Sequence, residues 1–146
     1  MLARVRSAAV LGIDAYLVDV ETDLTNGLPS FSTVGLGQGA VKEGRERVSS
    51  ALVNSGYDYP LKRITVNLAP ADIRKEGSAF DLPIAIGVLL ASGQIEAHGL
   101  DDLLLLGELG LEGDLRPVRG ALSMAIAART AAASAAASPL AARTTR

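Results

Sequence analysis

The hydrophobic pattern changes period near residue 39, and that change restricts the chain to folds that combine a sheet with helices. Before it, Ala8 to Leu11 and Ala15 to Thr22 read as two strands joined by a Gly12-Ile13-Asp14 turn, with Tyr16, Val18 and Val20 alternating with Leu17 and Asp19. Asn26-Gly27-Leu28-Pro29 is turn chemistry and leads into a third strand, Phe31 to Val34. After it, Gly39, Ala40 and Val41, then Val48, Ala51 and Leu52, mark one apolar face of a helix, and Asn54-Ser55-Gly56 closes that helix. Its other face carries Lys42, Glu43, Arg45, Glu46 and Arg47, a pattern that reads as solvated and salt-bridged.

Further along, Lys62 to Leu68 is β-branched and reads as a strand, followed by a loop from Pro70 to Gly77 and an apolar helix from about Asp81 to Ser92. Leu103 to Leu109 is too apolar for an edge and is predicted to be a buried strand of the same sheet. Gly110 to Gly113 turns the chain back into Asp114 to Pro117, and a last helix begins near Gly120. The predicted class is α/β, in an α+β two-layer arrangement with a mixed sheet and helices on one face.

Composition removes several functions. At 146 residues and 49% hydrophobic content the chain is one domain with enough apolar surface for a core. Ile84 to Ala91 and Leu103 to Leu106 fall far short of the roughly 20 residues of a membrane span, and no leader pattern opens the chain, so the reading is cytoplasmic with no membrane partner. The absence of cysteine excludes disulfides and thiolate metal sites, and with His98 the single histidine, no metal site is predicted. With 3% aromatic residues and no tryptophan, base-stacking platforms are nearly absent. The net charge of −2 is uneven: residues 1–114 hold nine basic against sixteen acidic residues, whereas residues 115–146 hold five arginines and no acid. Eight of the seventeen residues from Thr130 to Arg146 are alanine, so residues 130–146 read as an Ala/Ser/Arg-rich tail that extends the last helix by propensity and ends frayed or truncated.

Three clusters are candidates for chemistry. Gly35, Gly37 and Gly39 follow a strand and precede a helix, as a phosphate cradle does, but position 40 is Ala and no G-x-x-x-x-G-K-[ST] loop is present, so a strand-to-helix turn is the first reading. Ser78 follows Gly77 just before a helix, where a hydroxyl serves either as nucleophile or as cap. A nucleophile needs a base, and Lys75 lies three residues away in a charged loop read as solvated, where its ammonium would stay protonated. The cap reading has Ser78 paired with Asp81 in a capping box, or Asp81 as the cap itself, with Pro83 in the first turn. Lys62, Arg63, Arg74 and Lys75 flank one strand as a small basic patch that does not by itself make a nucleic-acid footprint.

Several runs carry a family resemblance: Gly12-Ile13-Asp14-Ala15, Val18-Asp19-Val20-Glu21, Gly27-Leu28-Pro29-Ser30-Phe31 and Lys42-Glu43-Gly44-Arg45-Glu46-Arg47-Val48 in the first third. Ile64 to Asp72, Lys75 to Ala85, Gly107-Glu108-Leu109 and Gly113 to Gly120 continue it. Together they resemble the N-terminal domain of the YifB/ComM family of magnesium-chelatase-like AAA+ ATPases, over residues 1–129. The resemblance implies a fold similar to the second domain of ribosomal small-subunit protein five and to the Lon protease domain. It also implies a parent in which an ATPase module follows, with ATP and magnesium belonging to that module and no cofactor to this chain. Gly77-Ser78-Ala79 resembles the segment bearing the Lon nucleophile, but in Arg119-Gly120-Ala121-Leu122 a leucine stands where the Lon lysine would fall.

The expected function is therefore a non-catalytic accessory or assembly domain, not itself an enzyme. Its partners would be the AAA+ module of its own parent, further copies in a homo-oligomeric ring, and DNA through the parent, as in branch migration during natural transformation. The alternatives are a Ser/Lys peptidase using Ser78 and Lys75, and a phosphate-binding module at Gly35 to Gly39.

Overall fold

The computed structural model describes residues 1–71, 73, 75 and 78–136. Two long strands, β1 (Leu2–Leu11) and β2 (Asp14–Thr25), form an antiparallel hairpin in a register that sets Val5 opposite Val20 and Arg4 opposite Glu21. Both extend beyond the expected bounds, because Arg4 is accommodated on the outer face by an ion pair with Glu21 at 3.0 Å while Val5 and Ser7 point inward. Strand β3 (Ser30–Val34) leads through helix α1 (Gln38–Asn54) into β4 (Arg63–Ala69), which lies parallel to β3 and antiparallel to β2. The sheet is mixed, in the order β1-β2-β4-β3.

Helix α2 (Asp81–Ala91) is apolar all round because it lies between other elements, packing on β1 and β2 on one side and meeting α1 beside it. Val18, Val20, Ile64, Val66 and Leu68 of the sheet close on Val48 and Leu52 of α1 and on Phe80, Ile84 and Val88 around α2. Each such side chain stabilises the fold by about 1.5–3 kcal/mol relative to exposure. Helix α3 (Ala121–Ala136) packs on β2 and β1 near the hairpin turn, with Met124 buried. It carries the last helix past Thr130, and residues 137–146 of the expected tail lie outside the described residues.

Leu103 to Leu109 departs from expectation. It does not form a strand of the main sheet: Leu104 makes one parallel bridge to Arg6, the Leu105 amide donates to the Arg6 carbonyl at 2.8 Å, and the chain then turns away. The Gly107 amide donates to the Ala79 carbonyl at 2.8 Å and the Leu82 amide to the Gly107 carbonyl at 3.0 Å, which anchor this segment to the start of α2. Beyond it, β5 (Glu108–Leu109) pairs with β6 (Leu115–Arg116) in a separate ribbon. The segment is also not the buried one expected: Leu103 is half exposed and Leu104, Leu105 and Leu106 are partly covered, with Leu109 the one buried leucine of the run, and apolar content alone does not separate such a connection from a central strand.

Contact between α2 and β2 depends on Gly87. A Cβ at that position would overlap the Thr22 hydroxyl and lie 3.2 Å from the Thr22 Cβ, and the buried Thr22 hydroxyl has no hydrogen-bond partner among the described residues. Gly87→Ala is therefore expected to lower stability by about 1–3 kcal/mol, outweighing a helix-propensity gain of about 1 kcal/mol. Thr22→Val is expected to raise it by about 1 kcal/mol, because it removes an unsatisfied hydroxyl while keeping the shape. Urea denaturation midpoints of the two variants should move in opposite directions.

Candidate functional site

The end of β4, the loop after it and the first turn of α2 gather most of the reactive side chains. Lys75 is 3% exposed, contrary to its expected solvated position. Its ammonium donates to the Pro70 carbonyl and, at 2.8 Å, to the Ile73 carbonyl, so the loop coordinates its own lysine. The ammonium lies against the β3–α1 turn: Gly35 there has φ +103°, and a Cβ on it would stand in ordinary contact with the Lys75 Nζ at 3.7 Å but only 3.1 Å from Leu68. Lys75 therefore does not contribute to a basic surface with Lys62 and Arg63, and Arg74 lies outside the described residues.

Gly35 thus has a geometric reason of its own. Gly37 and Gly39 do not: a Cβ at either meets nothing within 4 Å, and Gly37 precedes α1 with its carbonyl accepting from the Val41 amide at 3.0 Å.

Ser78 does not cap α2. Its hydroxyl donates to the Glu108 carboxylate on β5, and the residue preceding the helix, Phe80, makes no side-chain cap. Asp81 is not a cap either. Its carboxylate accepts from Arg47 Nε at 2.6 Å and Nη2 at 3.2 Å, a forked pair, and Oδ2 also accepts from the Leu109 amide at 3.1 Å. Three backbone segments, α1, α2 and β5, meet on one carboxylate. Gly44 of α1 lies against the pair, where a Cβ would make ordinary contact with Asp81 Oδ1 at 3.7 Å.

Arg47 was expected on a solvated face and is instead largely covered. The charged half of α1 is split: Arg47 shares the buried side with Gly44, Val48 and Ala51, and Glu43 pairs with it from the exposed side at 3.7 Å. A sequence signal for this pair existed. Asp81 is the one charged residue between Phe80 and Ala91, and an acid in an otherwise apolar helix requires a cation from elsewhere in the fold.

Burial lifts the Asp81 carboxyl above its ordinary value, against the opposing pull of Arg47 and the Leu109 amide. The hydrogen bond to Asp81 raises the Arg47 guanidinium in turn. Leu122 is exposed on the first turn of α3. Among the described residues no group of three or more His, Cys, Asp or Glu side chains is placed to hold a metal ion, and no helix is long and apolar enough to cross a membrane.

Comparison with known proteins decides the lineage. A family model described as subunit ChlI of Mg-chelatase matches residues 20–141. The chain belongs to this magnesium-chelatase ChlI family. Among its relatives, the uncharacterized protein YifB of Escherichia coli is 53% identical over 124 residues, covering 85% of this chain and 24% of its own length. The competence protein ComM of Haemophilus influenzae is 52% identical over 128 residues, or 88% of this chain and 25% of ComM. An uncharacterized protein of Mycobacterium tuberculosis is 44% identical over 128 residues. The chain spans about a quarter of the length of these curated relatives.

Arg47→Ala in this ChlI-family domain is expected to cost about 3–5 kcal/mol, since it leaves a buried carboxylate without its cation, whereas joint replacement by Arg47→Met and Asp81→Leu should cost less. Denaturant titration of the two variants distinguishes them. Folded Asp81 holds its proton more tightly than the unfolded chain, so its contribution to stability is full below the ordinary 3.8 and declines as pH rises through the folded value. Asp81→Asn should flatten that part of the stability–pH profile.

Proposed function

We propose that this chain is a non-catalytic accessory domain of a longer magnesium-chelatase-like AAA+ ATPase of the ComM type, working in the cytoplasm. Its role is assembly: it joins the ATPase module of its own parent and helps order a homo-oligomeric ring that handles DNA, with branch migration in natural transformation as the activity of the whole. Support for this choice within the family comes from 52% identity to competence protein ComM along 88% of the chain. ATP and magnesium are assigned to the ATPase module, and nothing in the reading calls for porphyrin chemistry.

The observation that carries the non-catalytic half is the arrangement around Ser78. A Ser/Lys dyad needs a neutral amine within about 3 Å of the hydroxyl. Here the hydroxyl is directed at the Glu108 carboxylate, and the Lys75 ammonium donates to two loop carbonyls. A residue without a titratable group, Leu122, occupies the alternative lysine position.

Two measurements on the chain test the reading. Calorimetry with Mg-ATP at millimolar concentration is expected to give no stoichiometric binding, and a fluorophosphonate probe is expected to leave Ser78 unlabelled. In the full-length parent, Ser78→Ala should leave ATP-driven activity nearly intact. Labelling that disappears in Ser78→Ala would establish the peptidase alternative instead, and saturable ATP binding that fails in a Gly37→Val variant, where a Cβ meets nothing, would establish the phosphate cradle.

A further inference from the structure

The two edges of the main sheet are treated differently. At the β1 edge, Leu104 and Leu105 bond to Arg6 and cover the middle of the strand. Strand β3 forms the other edge and, among the described residues, pairs with β4 alone. The Ser30 amide donates inward to the Lys62 carbonyl at 3.3 Å, so alternation along the strand turns the amides and carbonyls of Phe31 and Thr33 outward. An edge of this kind offers a row of main-chain donors and acceptors to another strand.

Helix α1 runs beside that edge, and between them lie two neighbouring cavities of about 420 and 320 Å³ that share Phe31 and Arg45. Phe31, Val41 and Tyr59 supply apolar surface, and the walls carry Lys42, Arg45 and Lys62 with no carboxylate. None of these three cations forms an ion pair with a described residue. This is unusual in a body whose first 114 residues carry sixteen acidic and nine basic side chains. Lys42 and Arg45 are three residues apart on α1 and so lie on one side of the helix, facing the strand edge.

The geometry points to the β3–α1 groove as a docking site for an extended, acidic polypeptide segment that adds a strand to β3. This inference stands apart from the assembly role. Main-chain hydrogen bonds to Phe31 and Thr33 set the register of the added strand. Alternate side chains of that strand then face α1, where carboxylates meet Lys42, Arg45 and Lys62. The five residues of β3 accept a segment of about 17 Å. The outward amides favour a polypeptide over a nucleic acid, because a sugar-phosphate chain has no ladder of matching carbonyls and amides.

The test uses a fluorescein-labelled octapeptide of alternating glutamate and valine, followed by anisotropy against the whole chain at low and at physiological ionic strength. Saturable binding that weakens with salt is expected. Lys42→Glu combined with Arg45→Glu should weaken it by about tenfold or more with an unchanged circular dichroism spectrum, because like charges then face each other. N-methylation of one set of alternate peptide amides should abolish binding and methylation of the other set should spare it, and the Phe31 and Thr33 amides should exchange more slowly in the complex. Absence of binding, equal tolerance of both methylated peptides, or preference for an oligothymidylate at the same residues would each overturn the proposal.

Discussion

The paired charges of Arg47 and Asp81 hold the layers of this domain in one arrangement. The forked contact joins residues 34 positions apart, and the same carboxylate takes the backbone amide of Leu109. Helix α1, helix α2 and the β5–β6 ribbon therefore converge where apolar packing alone would allow them to slide. Removing two charges from water is costly, and an apolar pair of similar volume would serve stability as well. What the pair adds is direction: Arg47 reaches Asp81 in one mutual placement of the two helices, and Leu109 then has one position from which to donate.

That placement determines the environment of the reactive side chains. Once the start of α2 is pinned, Glu108 lies beside the Ser78 hydroxyl, while the buried Lys75 is held by the Pro70 and Ile73 carbonyls. The side chains that would make a nucleophile and its base are both present in the sequence, yet each is engaged with a different partner. In this ChlI-family domain, similar to YifB and ComM, both side chains are thus held in the framework of the fold.

The sheet has an asymmetry of the same origin. Residues 103–107 leave β1 to anchor on α2, and in doing so cover one edge near Arg6. No comparable segment reaches β3 among the described residues, and α1, held to α2 by the buried pair, leaves a cation-lined groove beside the open strand. Closure on one side and access on the other thus arise from one set of contacts.

Much of the architecture was legible in the residues. The alternation through Val18 and Val20, the helical period through Val48, Ala51 and Leu52, and the β-branched run before Pro70 define the strands and helices because each pattern reports burial within its own element. Other features required tertiary structure. Whether Lys75 meets water or carbonyls, whether Arg47 meets Glu43 alone or also Asp81, and whether Leu103 to Leu109 joins the sheet or leaves it all depend on which distant segment arrives beside them. Local periodicity carries the direction in which a side chain points, whereas its partner is set by the docking of elements remote in sequence, and only the folded chain contains that information.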